Sequence, residues 1–184
     1  MPTHMSRANP SPGRQLLAQW QSLSHVPFGK RLFSWIVGRT APYTGTVGGV
    51  FTDIRPGYAR VEVRDRRAIR NHLASIHAVA LVNLAEMTSG VALMTALPKG
   101  VRGIVTGLSI EYLKKARGTL VATTTDDAPT AVTESMKHEV VATITDRAGD
   151  VVAVCKVQWK LSPPRDATVD HDATRGAGAE MVRA

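Results

Sequence analysis

Residues 71–97 have the sequence NHLASIHAVALVNLAEMTSGVALMTAL, and after Ile76 this stretch is apolar except for a few polar positions around Glu86. Its length and composition predict a helix of roughly 35 Å, long enough to cross a small domain. The apolar side chains would lie most of the way around that helix rather than along one stripe. We therefore expect a central helix that is buried on several sides.

A membrane span is the first alternative, because residues 78–97 would suffice to cross a bilayer. Four polar side chains fall near the middle of this segment, namely Asn83, Glu86, Thr88 and Ser89. A carboxylate alone costs about 3 kcal/mol at that depth, so we expect the helix to lie inside the protein. An acidic group there needs hydrogen-bond donors or must be held protonated, so Glu86 either completes a polar network or takes part in chemistry. The simpler alternative is a carboxylate that caps a loop or reaches the edge of a groove.

The whole chain of 184 residues is long enough for one domain with additional terminal segments, and it is basic, with a formal net charge of +8. This charge favours an anionic partner, whether nucleic acid, anionic lipid or a phosphorylated small molecule. The cations are spread widely and no helix repeats them with aromatic residues, so nucleic acid is the weakest of the three. The single cysteine, Cys155, excludes an internal disulfide and a cysteine metal cluster. Reduced cysteine and the lack of an apolar secretory segment in the first 25 residues predict a cytoplasmic protein.

The two ends of the chain differ in composition from its middle. Residues 1–12 are predicted to be disordered and residues 163–184 to form a flexible tail. Between them, residues 13–42 predict an N-terminal helical extension, with a short amphipathic helix at 13–23 and a second helix with an aromatic face at 28–37. We expect the second helix to dock on the domain's own sheet or on a partner subunit. A membrane-surface helix and a pocket lid remain as alternatives, although membrane association is not favoured.

The apolar period changes to two on either side of the central helix, which predicts strands. A hairpin is predicted from residues 44–54 and 58–63, joined by Arg55-Pro56-Gly57. Four further strands follow the helix, at residues 104–113, 119–125, 137–145 and 151–161. In the last strand Cys155 falls on the buried face, where a small apolar side chain is more frequent than a reactive thiol. The order of two strands, a helix and four strands predicts an α+β domain over residues 43–162. Its apolar surface predicts two chains that associate through sheet edges or helix faces.

The spacing of Asn71, Ala74, His77 and Glu86, together with Leu84-Ala85-Glu86, resembles the signature of hot-dog-fold acyl-CoA thioesterases. The segment IEYLKKARG at residues 110–118 is similar to the strand and turn that follow in that superfamily. The resemblance covers roughly residues 44–161 and is to thioesterases of the phenylacetyl-CoA and 4-hydroxybenzoyl-CoA type, in a bacterial branch with an N-terminal helical extension. It implies a hot-dog fold, in which a mainly antiparallel sheet wraps a long central helix.

The resemblance also implies the function, hydrolysis of an acyl-CoA thioester to the free acid and CoA, without a metal or a cofactor. Glu86 would act as general base toward water or as nucleophile on the thioester carbonyl. Asn71 would orient the water or the acyl group, and the backbone amides near His77 and Ala78 would polarise the carbonyl. From the residues alone, His77 can equally be a structural group at the start of a helix, and Asn71 an N-cap or loop residue.

A helix places His77 and Glu86 on opposite faces, about 13 Å apart along the axis. They cannot form a pair within one chain, so a shared site needs Glu86 of one subunit opposite Asn71 and His77 of another. We therefore expect a homodimer or a dimer of dimers.

Three positions depart from the signature, because Ala74, Ala78 and Val79 stand where the superfamily has glycine. A side chain at these positions narrows the approach of the thioester oxygen to the backbone amides. These departures favour the alternative function, a non-catalytic hot-dog protein that binds acyl-CoA or lipid.

Coenzyme A would also bring several phosphate charges to the site, and guanidinium and ammonium groups are suited to bind them. Six cationic residues that flank the predicted site are available for this, namely Arg66, Arg67, Arg70, Lys114, Lys115 and Arg117.

Overall fold

The computed structural model describes residues 11–164. Its helices are α1 (Pro12–Leu23), α2 (Gly29–Thr40), α3 (Pro42–Gly45) and α4 (Ala78–Ala96), with a 3₁₀ turn at Arg67–Ile69. Its strands are β1 (Val50–Arg55), β2 (Tyr58–Val63), β3 (Arg102–Tyr112), β4 (Leu120–Thr125), β5 (Met136–Thr145) and β6 (Val151–Ser162). The predicted order of two strands, one long helix and four strands is confirmed. The predicted disorder of residues 1–12 and flexibility of residues 163–184 fall almost wholly outside the described part of the chain, except that Pro12 begins α1.

The six strands form one antiparallel sheet in the order β1-β2-β4-β5-β6-β3. Helix α4 packs on one face of this sheet, where inward side chains of every strand but β3 are fully buried. In β2, for example, Ala59, Val61 and Val63 are buried and the alternating residues are half-buried, as the period of two predicts. The core therefore lies between the sheet and α4.

Helix α4 begins at Ala78 rather than in the predicted region around Asn71. Its N-cap is His77, whose Nδ1 accepts the Val79 N–H at 3.1 Å, and it ends at Ala96, before Pro98. Residues 71–77 form a loop instead. By length and composition α4 could cross a membrane, but 67% of its most apolar 18-residue window is buried inside this fold. Its apolar character is thus explained by the core.

The hairpin also starts later than predicted, because residues 44–49 are not extended. Pro42 occupies the first position of α3, where its fixed φ favours a helix, and Gly48 has a φ of +69°. Strand β1 therefore begins at Val50. The strands after α4 agree with the predicted ones to within two residues.

The helices α1 and α2 cover the β1 edge of the sheet. Edge-to-face aromatic contacts connect Trp20 of α1 to Phe33 of α2, and Phe33 to Phe51 of β1. Ser34 Oγ accepts the Phe51 N–H at 2.9 Å, and Lys30 Nζ donates to the Thr52 carbonyl at 2.8 Å. One face of α2 thus docks on the protein's own sheet, which was the favoured expectation.

From Ala153 onward the last strand, β6, has the predicted alternation of buried and exposed side chains, but Val152 is buried and Val151 is not. Val151 is 39% exposed, because the β5–β6 register shifts beside it. Cys155 is buried, and its burial, followed by the charge of Glu86, raises the pKa of the thiol. The prediction of a small buried side chain at this position is confirmed.

Candidate active site

The loop before α4 is organised by the side chain of Asn71. Its Oδ1 accepts the N–H groups of Leu73 at 2.9 Å and Ser75 at 3.2 Å. Ala74 adopts a φ of +52° inside this loop, a conformation that favours glycine and that the superfamily signature fills with glycine. Asn71 is therefore a loop residue, but its Nδ2 donates to no residue within 11–164.

The first turn of α4 offers one free amide. The Val79 N–H is taken by His77 Nδ1, and the N–H groups of Ala80 and Leu81 donate to the His77 carbonyl. In the described part of the chain the Ala78 N–H has no acceptor. A free N–H at a helix N-terminus is a favourable donor for an oxyanion.

A second loop, residues 113–119, packs against the first and fixes the start of α4. The Tyr112 hydroxyl donates to the Ala78 carbonyl at 3.2 Å, and the Ile76 N–H donates to the Ala116 carbonyl at 2.7 Å. The Arg117 guanidinium reaches the Leu73 carbonyl at 3.4 Å. Burial raises the pKa of Tyr112, with a smaller contribution from Cys155. Tyr112 lies in the segment that resembles the superfamily, but its partner is 34 residues away, so no periodicity in the sequence indicated this contact.

Glu86 lies in the middle of α4, half-buried. Its carboxylate forms no hydrogen bond or ion pair with any residue of the described range, so the polar network that the sequence allowed is not formed within one chain. The face of α4 around it is open, since Val79 is 51% and Met94 36% exposed and Val82 and Gly90 are half-buried. The influence of Glu86 on the pKa of Cys155 places this charge near β6.

The structure brings Asn71, His77 and Ala78 together at the start of α4, but Glu86 lies eight residues further along the helix. A rise of 1.5 Å per residue separates Glu86 from the helix start by roughly 12 Å. One chain therefore holds two separated parts of the predicted site.

The six predicted cations differ in whether they form an ion pair within residues 11–164. Arg70 Nε binds Asp65 at 2.6 Å, and the Arg70 guanidinium is the main cause of the lowered pKa of Asp65. Lys114 lies between Asp146 and Asp150 at 2.5 and 2.6 Å, contacts that raise the pKa of this ammonium group. The other four are exposed and form no ion pair within residues 11–164, namely Arg66, Arg67, Lys115 and Arg117. Of these, Arg66 is directed away from the loop, to the Thr46 carbonyl at 2.5 Å.

The described residues contain no group of three His, Cys, Asp or Glu side chains placed to hold a metal ion. No metal ion is needed to bind an anionic substrate and activate water, since a carboxylate, a helix N-terminus and neighbouring cations can do both together.

Comparison with known protein families identifies the family of this chain. The family described as a domain of unknown function (DUF4442) matches residues 29–161. No curated protein has a matching sequence.

Solved structures give the fold. A structural-genomics protein, APC5556, is 29% identical with a TM-score of 0.70, over 80% of this chain and 98% of that one. PA5026 from Pseudomonas aeruginosa, called a probable thioesterase, is 20% identical with a TM-score of 0.64, over 74% and 96%. A hypothetical thioesterase from Streptococcus pneumoniae, solved with coenzyme A, is 19% identical with a TM-score of 0.53, over 63% and 90%. The predicted hot-dog fold is confirmed, and the solved structures that share it include proteins named as thioesterases.

Proposed function

The chain belongs to the DUF4442 family, and on that premise we propose that it is a cytoplasmic thioesterase that hydrolyses an acyl-CoA to a free acid and CoA. Its structural neighbours include proteins named as thioesterases, one of them solved with coenzyme A. This similarity supports a thioester of coenzyme A as the ligand class.

The observation that supports hydrolysis best is the carboxylate of Glu86 on the open face of α4, which has no partner within residues 11–164. A carboxylate that lies among apolar residues without a donor from its own chain is a candidate for a chemical task. In the proposed reaction Glu86 takes a proton from a water molecule as the water oxygen attacks the thioester carbon. It then returns the proton to the departing sulfur of CoA.

The developing oxyanion would be bound at the start of α4 in a second subunit. The Ala78 N–H is free there, and the Tyr112 hydroxyl holds the carbonyl of the same residue. The free Nδ2 of Asn71 lies in the adjoining loop and can donate to the substrate. These donors are fixed before the substrate arrives, which is the condition for effective stabilisation of a transition state.

Such a site requires two chains, and two surfaces support a homodimer. Among the described strands β3 pairs only with β6, so its other edge is open to them over 11 residues. Leu108 and Tyr112 on this strand are 45% and 47% exposed, beside the open face of α4. An open edge next to an apolar face favours association with a second copy.

The phosphates of CoA would bind near the loop that contains Lys115 and Arg117, which adjoins the start of α4. Arg67 is exposed on the preceding 3₁₀ turn and is a further candidate. Arg70 and Lys114 are already neutralised by carboxylates, so we assign them to the support of the loops.

A panel of acyl-CoA substrates, with a thiol reagent to detect released CoA, tests this proposal. Glu86→Gln should lower kcat by 10²- to 10⁴-fold, which is the usual effect of losing a general base. Glu134→Gln makes the same chemical change on an exposed loop and should leave the rate unchanged. Unchanged turnover in Glu86→Gln would exclude this role of Glu86.

A second candidate function is binding of acyl-CoA or lipid without turnover. It is favoured by the first turn of α4, where His77 occupies the Val79 N–H and only the Ala78 N–H is free. Tight binding of acyl-CoA by the wild-type protein, without release of CoA, would support this function instead.

A further inference from the structure

A groove lies on the opposite side of the domain from the β3 edge, between α2, α3 and the start of β1. Its volume is about 770 Å³, within the range of small-molecule sites. Met87 of α4 forms part of the lining. Met87 follows Glu86 in sequence but projects about 100° away from it around the helix, so the groove approaches α4 from a different side.

Glycines allow the elements around this groove to pack closely against one another. Gly38 of α2 and Gly45 of α3 meet at van der Waals distance, and a Cβ on Gly45 would come within 2.8 Å of the Gly38 carbonyl oxygen. Gly49 lies against α4, where a Cβ would come within 2.7 Å of Met87 Cε. The short chain between α3 and β1 therefore packs closely against α2 and α4.

The groove does not suit an added β-strand. The Phe51 N–H and the Thr52 carbonyl of β1 are already bound by Ser34 and Lys30 of α2. A peptide that extended the sheet at this edge would have to break both contacts. The occupant is therefore recognised by side chains.

The side chains of the lining combine apolar surface with positive charge. Trp35, Val50 and Met87 provide apolar contact, and Trp35 is 61% exposed. Arg31 and Arg39 are the charged residues of the lining, which contains no acidic residue. Neither arginine forms an ion pair with a residue of the described range, and the Arg39 guanidinium lies 5.6 Å from the centre of the Trp35 ring.

We propose that this α2–β1 groove is a second binding site and that its ligand is a long-chain carboxylate, a fatty acid anion. The chain of such a ligand would lie against Trp35 and Met87. Its carboxylate would bind Arg31 and Arg39, whose guanidinium groups match the geometry of two carboxylate oxygens. A second copy of this protein fits less well, because a symmetric contact through the groove would place the arginines of both copies together.

Calorimetric titration with dodecanoate below its critical micelle concentration tests the proposal. The double variant Arg31→Gln with Arg39→Gln should bind dodecanoate at least tenfold more weakly than the wild type. Arg147→Gln with Lys156→Gln lowers the net charge equally on exposed positions outside the groove and should bind like the wild type. Dodecyl maltoside, which has the same chain and a neutral head group, should bind at least tenfold more weakly than dodecanoate.

The same variants test whether the groove binds its ligand independently of the proposed thioesterase site. Glu86→Gln should retain dodecanoate binding, and Arg31→Gln with Arg39→Gln should retain thioester hydrolysis. Equal weakening in the two double variants, loss of binding in Glu86→Gln, or no binding by the wild type would overturn the proposal. Binding of the wild type to phosphatidylglycerol vesicles, without binding of dodecanoate, would assign the same surface to a membrane instead.

Discussion

At the scale of single residues, Asp65 connects segments that are far apart in the sequence. It accepts Arg70 Nε at 2.6 Å and the Gly118 N–H at 3.1 Å. These contacts lower the pKa of Asp65, with the Arg70 hydrogen bond as the largest cause. Because the pKa is lower in the folded than in the unfolded protein, the stabilisation is complete above the unfolded value, about 3.9. It is lost as the pH falls through the folded value.

The variant Asp65→Asn should therefore be less stable by about 1 kcal/mol at pH 7 and by less in the acid range. Urea denaturation at pH 7 and at pH 3 measures the difference from the wild type at each pH. Asp53→Asn is the control, since its carboxylate is exposed and lies 3.4 Å from Arg55. A difference for Asp65→Asn that is the same at both pH values would contradict the argument.

Local sequence pattern indicated candidate residues, but it did not reveal contacts between distant segments. Glu86 was identified because an acid in an apolar helix is costly, and Ala74 because the signature has glycine where this loop adopts positive φ. The contacts of Tyr112 with Ala78 and of Asp65 with Gly118 were missed because they join residues 34 and 53 positions apart. An acidic residue within an apolar segment can be recognised from the sequence. A contact between two loops that are distant in the sequence can be recognised only from the fold.

Helix α2 packs over strand β1 and protects this edge of the sheet. Ser34 Oγ donates to the Lys30 carbonyl at 2.7 Å and accepts the Phe51 N–H at 2.9 Å. Ser34→Ala would leave this half-buried N–H without a partner, which should cost about 1–2 kcal/mol of stability. Hydrogen exchange of the Phe51 amide should accelerate accordingly. Ser22→Ala removes a comparable hydroxyl contact on α1, to Ala18, away from any strand, and should change neither measurement.

Elements with a clear apolar period were predicted closely, and the two errors occur where tertiary contacts determine the backbone. In residues 44–49 threonines and valine suggested a strand, but Gly38 and Gly45 bring α3 against α2, and Asn83 Nδ2 donates to the Tyr43 carbonyl. Residues 71–77 were included in the predicted helix, but Asn71 binds the loop amides there instead. Side chains that bind backbone groups compete with secondary structure in this way.

The proposed active site is divided between two chains, and this division can be tested. Ala78→Pro removes the free N–H of α4 while preserving the helix, because proline is favoured at the first helical position. His77 has a ψ of 141°, the conformation that a following proline requires. Each of the variants Ala78→Pro and Glu86→Gln should be inactive by itself.

Mixed dimers of these two variants should regain activity. In a dimer of one Ala78→Pro chain and one Glu86→Gln chain, one of the two shared sites contains an intact Glu86 and an intact Ala78 N–H. Co-refolding equal amounts should therefore restore about one quarter of the wild-type acyl-CoA hydrolysis, because half of the dimers formed at random are mixed. Adding Leu108→Arg to both chains places a charge on the open side of β3 and should abolish both the dimer, measured by analytical ultracentrifugation, and the restored activity. Val141→Arg adds the same charge on the outer face of β5 and should leave both intact. If the mixture stays inactive although mixed dimers form, Glu86 and the Ala78 N–H do not act on the same substrate across the interface.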